Sequence, residues 1–176
     1  MRLSAGVEWA LHCAVLLAAL PPGGALSGRA LAEFHGVSET YLFKQLQALT
    51  RAGVLTSTPG PQGGYRLARP AAEITVLNIV EAIEGSEPVF RCTDIRRRGP
   101  AAVDPDLYRV RCGIHTSMLR AQEAWKAALH EQTLADVAAR TSASIAPERA
   151  QKARAWLREQ IRLGPASGAG PSGERG

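Results

Sequence analysis

Cys92 and Cys112 stand twenty positions apart, with Arg91, Arg96, Arg97, Arg98, Arg109 and Arg111 around them in sequence. Thiolates are soft ligands suited to iron–sulfur chemistry or zinc. Neighbouring guanidinium groups favour thiolate over thiol and offset the charge of an anionic group. The pair is not a CxxC, which argues against a compact zinc knuckle. Two unrelated cysteines beside a solvated basic loop are the plainer alternative. His115 follows Cys112 by one helical turn and is a reserve ligand. A second pair, Glu8 and His12, is four residues apart in an apolar helical stretch, so both side chains point the same way in chelating geometry. An exposed glutamate and a satisfied histidine would show the same spacing. Cys13 has apolar neighbours and reads as a buried small hydrophobe. His35 and His130 read as surface residues.

Gly and Pro mark the joints between the elements that must hold these residues. Ser4 is a candidate cap for a helix to about Leu20, with Val7, Leu11, Val15 and Ala18 at helical spacing and PPGG after it. Ser27 opens a short helix, RALAEFH, stopped by Gly36. Ser38 is positioned to cap a third, ETYLFKQLQALTRA, stopped by Gly53. VLTST and YRLAR flank PGPQGG and read as a hairpin with a loose tip. Thr75 opens VLNIVEAIE. Residues 87–112 form an irregular, cysteine-bearing loop. A helix from Gly113 to about Gln132 follows, then LADVAAR behind Thr133 and a further helix within 147–163. The Gly/Pro/Ser-rich residues 164–176 read as a disordered tail.

The order helix, helix, short turn, helix, hairpin is that of a winged helix-turn-helix. The fold class is therefore mainly α, with a two-stranded wing and a long helix behind the cysteine loop. The domain reading is 1–86 for the DNA-binding unit, 87–112 for the cysteine loop and 113–163 for the C-terminal helices. A recognition helix offers residues near its start to base edges in the major groove. Gln45 suits adenine, Lys44 a phosphate or guanine, and Ser38 and Tyr41 a phosphate. Arg51, Gly63, Gly64, Arg66 and Arg69 extend the DNA-facing set into the wing, where alternation turns Tyr65 and Leu67 inward and Arg66 outward.

Composition sets bounds. The 176 residues are 45% hydrophobic and 21% charged, a globular balance. Three cysteines are too few for a disulfide scaffold. The apolar run at 7–20 is broken by Glu8 and His12 and is too short to span a bilayer. No secretory signal precedes it, so a cytoplasmic location is expected. Neither a nucleophile–base pair nor a nucleotide-binding fingerprint is present, which argues against an enzyme with a small-molecule substrate. The net charge of +5 suggests a polyanionic partner. Yet residues 1–86 hold six basic and six acidic side chains, and the whole excess lies in 87–176.

The strings MRLSAGVEWALHC, VSETYLFKQLQALTRAGVL and GPQGGYRLARPAAEITVLNIVEAIEG, together with the cysteine loop, resemble the Rrf2 family of bacterial winged-helix regulators. That family includes iron–sulfur and nitric-oxide-sensitive members such as IscR and NsrR. The resemblance covers about residues 1–140. It implies that the helix from Gly113 pairs two protomers, giving a homodimer on a palindromic double-stranded operator. Cluster-binding members usually carry three cysteines in the loop, and this loop has two. The start of the chain and the two-cysteine loop look most similar to the redox-sensing actinobacterial branch (RsrR). Its ligand set implies a [2Fe–2S] cluster held by Cys92, Cys112, His12 and Glu8, the last two reaching the partner's loop. Trp9 is then a switch residue or, equally, core packing. Zinc in the same four ligands, direct thiol oxidation and nitric-oxide sensing are the alternatives.

Overall fold

A computed structural model describes residues 3–108 and 111–163; the expected tail at 164–176 and Arg109 lie outside the described residues. Helix α1 (Ala5–Ala18) buries Val7, Ala10, Cys13, Ala14 and Leu17 along one side. Its start departs from expectation. The Ser4 side chain makes no cap hydrogen bond. Instead the Ser4 backbone N–H donates to Glu84 Oε1 at 2.8 Å, tying the helix entry to a distant element. Strand β1 (Gly24–Ala25) leads into α2 (Gly28–His35), where Ser27 Oγ does accept from Ala30 N–H. Gly36 ends α2 in the left-handed conformation, at φ 64°, which glycine adopts without a Cβ penalty. Helix α3 (Glu39–Arg51) buries Leu42, Leu46 and Leu49, as its spacing requires. The Ser38 hydroxyl makes no cap bond and is exposed.

Strands β2 (Leu55–Thr58) and β3 (Gly64–Leu67) form the antiparallel wing, with Thr58 opposite Gly64. Leu26, just after β1, exchanges two backbone hydrogen bonds with Tyr65 and fastens the wing to the body. Helix α4 (Val76–Glu84) begins with a reciprocal cap between Thr75 and Asn78. After the irregular cysteine loop come α5 (Gly113–His130), α6 (Leu134–Ser144), α7 (Pro147–Gln160) and a short β4 (Arg162–Leu163).

One main core joins α1 to α4 and the wing base around Leu26, Leu31, Leu42, Leu46, Leu49, Leu55 and Ile79. Each such side chain contributes about 1.5–3 kcal/mol by leaving water. Leu134 of α6 is fully buried in the same core, and Trp156, Leu157 and Ile161 pack on it. Trp125 and Leu129 of α5 pack on Val7, Val76 and Val80. The sequence segments drawn at 86 and 113 are therefore not separate cores. Among the described residues no helix is long and apolar enough to cross a membrane.

Candidate functional site

Helix α3 and the wing enclose a concavity of about 310 Å³ lined by Phe43, Gln47, Thr50, Arg51, Ser57 and Tyr65. Tyr41 is 59% exposed, and Lys44 Nζ stands 5.8 Å from its ring centre, leaving the ammonium at the helix surface. Gln45 is placed otherwise than expected. Its carboxamide lies against Gly6 of α1, where a Cβ would come within 2.9 Å of it. The reason is helical geometry: position 45 is three after Leu42 and four before Leu49, so it flanks the buried stripe. The amide that faces the concavity is Gln47, which the sequence reading missed although it follows Lys44 by three. Ser57 was missed with it, whereas Phe43 was read from sequence as presented near the start of the helix.

The tip of the wing is built on two glycines. A Cβ on Gly63 would collide with the Thr58 and Pro59 carbonyls, and one on Gly64, at φ 152°, would stand 2.6 Å from the Leu26 oxygen. Arg66 is half-buried rather than fully outward, because one guanidinium nitrogen reaches Thr58 Oγ1 at 3.3 Å across the hairpin. Its Nε is buried with no hydrogen-bond partner among the described residues. Arg69 donates to Asn78 Oδ1 at 3.1 Å, which links the strand end to the α4 cap.

The second constellation is a cavity of about 340 Å³ lined by Cys92, Asp94, Arg96, Arg97, Tyr108, Arg111, Cys112 and His115. Cys112 is the residue immediately before α5. Backbone N–H groups of His115 and Ile114 point at it and hold its thiol below the ordinary range, with help from Arg96 and opposition from Asp94. Cys92 Sγ accepts from Asp94 N–H at 3.4 Å. Asp94 is the one non-glycine residue described with positive φ, at 46°. Such a backbone costs of order 1 kcal/mol. The conformation aims its carboxylate at Arg96 (2.7 Å) and Arg97 (3.1 Å). Both guanidinium groups lie over the Tyr108 ring, and the Tyr108 hydroxyl donates to the Arg96 carbonyl at 2.7 Å. Asp94 and Tyr108 were not singled out from sequence. An acidic residue between a cysteine and an arginine run was the available signal. His115 Nδ1 is buried without a hydrogen-bond partner among the described residues and lines this cavity.

Glu8 and His12 are both exposed and line a different hollow, with Leu3, Ser4, Ala5, Val7 and Leu11. The structure thus brings Cys92 to Cys112 and Glu8 to His12, but not one pair to the other. Among the described residues no group of three or more His, Cys, Asp or Glu is placed to hold a metal ion. Trp9 is partly buried and packs on the main core. Cys13 is buried, which pushes its thiol up to about 12 and makes it inert, as expected. His35 is not a surface residue. It is half-buried, its ring centre 5.7 Å from that of His12 and 5.0 Å from that of Phe34.

Residues 3–140 match the family described as Rrf2, iron-dependent transcriptional regulator. The chain belongs to the Rrf2 family. Among Rrf2 relatives, YwgB of Bacillus subtilis, which carries the name of an HTH-type transcriptional regulator, is 28% identical over 137 residues, or 78% of this chain and 84% of YwgB. The structure of CymR, the global cysteine regulator of B. subtilis, is similar with a TM-score of 0.60 and 26% identity, over 79% of this chain and 97% of CymR. That of IscR from T. potens is similar with a TM-score of 0.61 and 26% identity, over 83% and 93%. The protein is thus an Rrf2 winged-helix transcriptional regulator and not an enzyme. The family match ends before α7 and β4.

Proposed function

We propose that this Rrf2 protein acts in the cytoplasm as a homodimeric repressor, binding a palindromic operator and reading redox state through a [2Fe–2S] cluster. The observation that carries this reading is the shared cavity of Cys92 and Cys112 under Arg96, Arg97 and Arg111. Two thiols in a positive field suit half the ligand set of an anionic cluster. Glu8 and His12, exposed on α1, suit the other half and would be supplied by the partner protomer. When bound, the cluster supplies a one-electron couple.

The chain's own residues do the rest. Arg96, Arg97 and Arg111 counter negative charge in the cavity, and Asp94 and Tyr108 hold the first two in place. Cys112 sits at the head of α5, so a change of charge there acts directly on that helix. Ile114 is 68% exposed and Met118 42% exposed on α5, which supports a second copy against that helix. On the DNA side, Lys44, Tyr41, Ser38 and Arg51 supply backbone contacts, and Gln47 takes the base-reading role first given to Gln45. Gly63, Gly64 and Arg66 bring the wing close to the duplex.

The test is an anaerobic absorption spectrum with iron and sulfide counts on the wild type and on Cys92→Ser, Cys112→Ser and His12→Ala. Loss or change of the cluster spectrum in all three variants is expected. A colourless wild type containing zinc would replace iron with zinc, and an unaltered His12→Ala spectrum would remove histidine from the ligand set. A second reading, direct thiol oxidation, is favoured by the lowered Cys112 thiol. It predicts a metal-free protein whose DNA affinity changes with peroxide.

A further inference from the structure

The segment beyond the family match returns to the wing. Helix α7 places Trp156 against Phe34 of α2, ring centres 5.2 Å apart, and its Leu157 and Ile161 join the main core. The chain then runs as β4 antiparallel to β1, pairing Arg162 with Ala25 and Leu163 with Gly24. From there the Arg162 guanidinium donates to the carbonyl of Gly63 at 2.9 Å. Gly63 is buried in the hairpin tip, and its own N–H donates to the Gly60 carbonyl. The same strand continues to Leu26, which exchanges backbone hydrogen bonds with Tyr65 of β3.

We infer that Arg162 is a positioning residue for DNA binding. The α7–β4 extension braces the wing from outside the helix-turn-helix, and Arg162 fixes the tip carbonyl so that the loop around Gly63 and Gly64 meets the duplex at a set angle. The inference rests on the proposed use of the wing in DNA binding. A two-stranded hairpin alone is marginal in water. This one is fastened at its base by Leu26 and near its tip by Arg162. The extension is also basic: residues 147–163 carry five Lys or Arg and two Glu. Part of the positive excess of the second half of the chain is thereby docked on the DNA-binding unit.

The experiment uses full-length protein and short duplexes enriched by the wild type from a random-sequence pool. Arg162→Met keeps the aliphatic stem and removes the donors; Arg162→Lys keeps a charge and a single donor group. Affinity by fluorescence anisotropy across a salt series is paired with hydroxyl-radical footprinting. The Met variant is expected to bind about tenfold more weakly. It should lose protection at the wing-contacted edge, keep the recognition-helix protection and keep the wild-type salt slope. The Lys variant should fall between Met and wild type. A salt slope reduced by about one would make Arg162 a direct phosphate contact and overturn the inference. Unchanged affinity and footprint in the Met variant would overturn it too. Should the Met variant unfold, a Lys variant with a wild-type wing footprint and affinity would do the same. Lys44→Ala and Arg66→Ala test the underlying reading: if both bind as wild type, the assigned DNA face fails, whereas weakened binding there beside a normal Arg162→Met defeats this inference alone.

Discussion

The carboxamide of Gln45 lies against Gly6, so that the recognition helix touches the first helix where a side chain is missing. Gly6 lies two residues before Glu8 and six before His12 on α1, and Gln45 follows Lys44 on α3. The contact therefore joins the helix that carries candidate ligands to the helix that carries candidate DNA contacts. Glycine costs roughly 0.5–1 kcal/mol against alanine inside a helix. Here its benefit is the close approach.

Gly6→Ala sets two effects against each other. The new Cβ gains helix propensity and displaces the end of a flexible side chain, so stability should change by less than about 1 kcal/mol. Gln45→Ala removes the obstacle. The double variant should be more stable than the sum of the single effects by roughly 0.5 kcal/mol or more, read from urea denaturation as a double-mutant cycle. Strict additivity would mean that the two residues do not share the joint. In DNA-binding assays Gln47→Ala should cost more affinity than Gln45→Ala, and the reverse order would restore Gln45 as the base reader.

Much of this face was legible from sequence, and the reason for the exceptions is local. Leu42, Leu46 and Leu49 announce the buried stripe of α3 by spacing alone. Gln45 was misplaced because a polar residue was assigned to solvent, although its angular position borders that stripe. The wing was legible from PGPQGG. The return of α6 and α7 to the first core was not, since Leu134 and Trp156 meet partners far away in sequence. The cysteine pair was visible as two thiols flanking a basic loop, and the structure sets both in one cavity. Asp94 was not, because its role depends on a left-handed backbone at a non-glycine position. His35 looked like a surface residue until α7 brought Trp156 and Arg149 toward the end of α2.

The three cysteines should differ in reactivity. In metal-free protein, Cys112 should be alkylated by iodoacetamide well before Cys13, and its pH–rate midpoint should lie below that of an ordinary thiol. The cause is first the N–H groups of His115 and Ile114 and then Arg96, while Cys13 is held up by burial. Arg96→Ala should move the Cys112 midpoint upward only in part, because the helix N–H groups remain. Mass spectrometry of quenched samples gives the order directly, and equal rates for Cys112 and Cys13 would contradict the structure.

His35 should make the fold acid-sensitive. Burial first, then His12 and Arg149, push its imidazole down to about 4. The folded chain keeps His35 neutral, while the unfolded chain binds a proton below about 6.5. Stability from this group is therefore fully present above pH 6.5 and is lost as the pH falls toward 4. The whole shift would be roughly 3 kcal/mol, but the side chain is partly open to solvent, so about 1–2 kcal/mol is expected. His35→Phe should flatten the dependence of the denaturation midpoint between pH 6.5 and 4.5. His12→Ala should flatten it slightly, since it removes one of the opposing charges. A His35→Phe profile as steep as wild type would place the acid sensitivity elsewhere.

Leu134 decides whether α6 belongs to the DNA-binding core or merely rests beside it. Its N–H donates to the Ile74 carbonyl at 2.7 Å, and Val76 N–H donates to the Gln132 carbonyl at 2.8 Å, so the starts of α4 and α6 are joined by backbone pairs. The side chain is fully buried among first-half residues. Leu134→Ala leaves a cavity there and should cost about 2–5 kcal/mol. Thr133→Ala removes the reciprocal cap with Asp136 and should cost about 1 kcal/mol. The two sites are adjacent, so their effects should not simply add. The discriminating measurement is hydrogen exchange of Leu31, Leu46 and Ile79 amides alongside the denaturation curve. If α6 is part of the core, the Leu134→Ala variant loses protection at all three amides together with global stability. A loss confined to α6, with a global cost under about 1 kcal/mol, would make α6 a peripheral helix and leave the first half to fold without it.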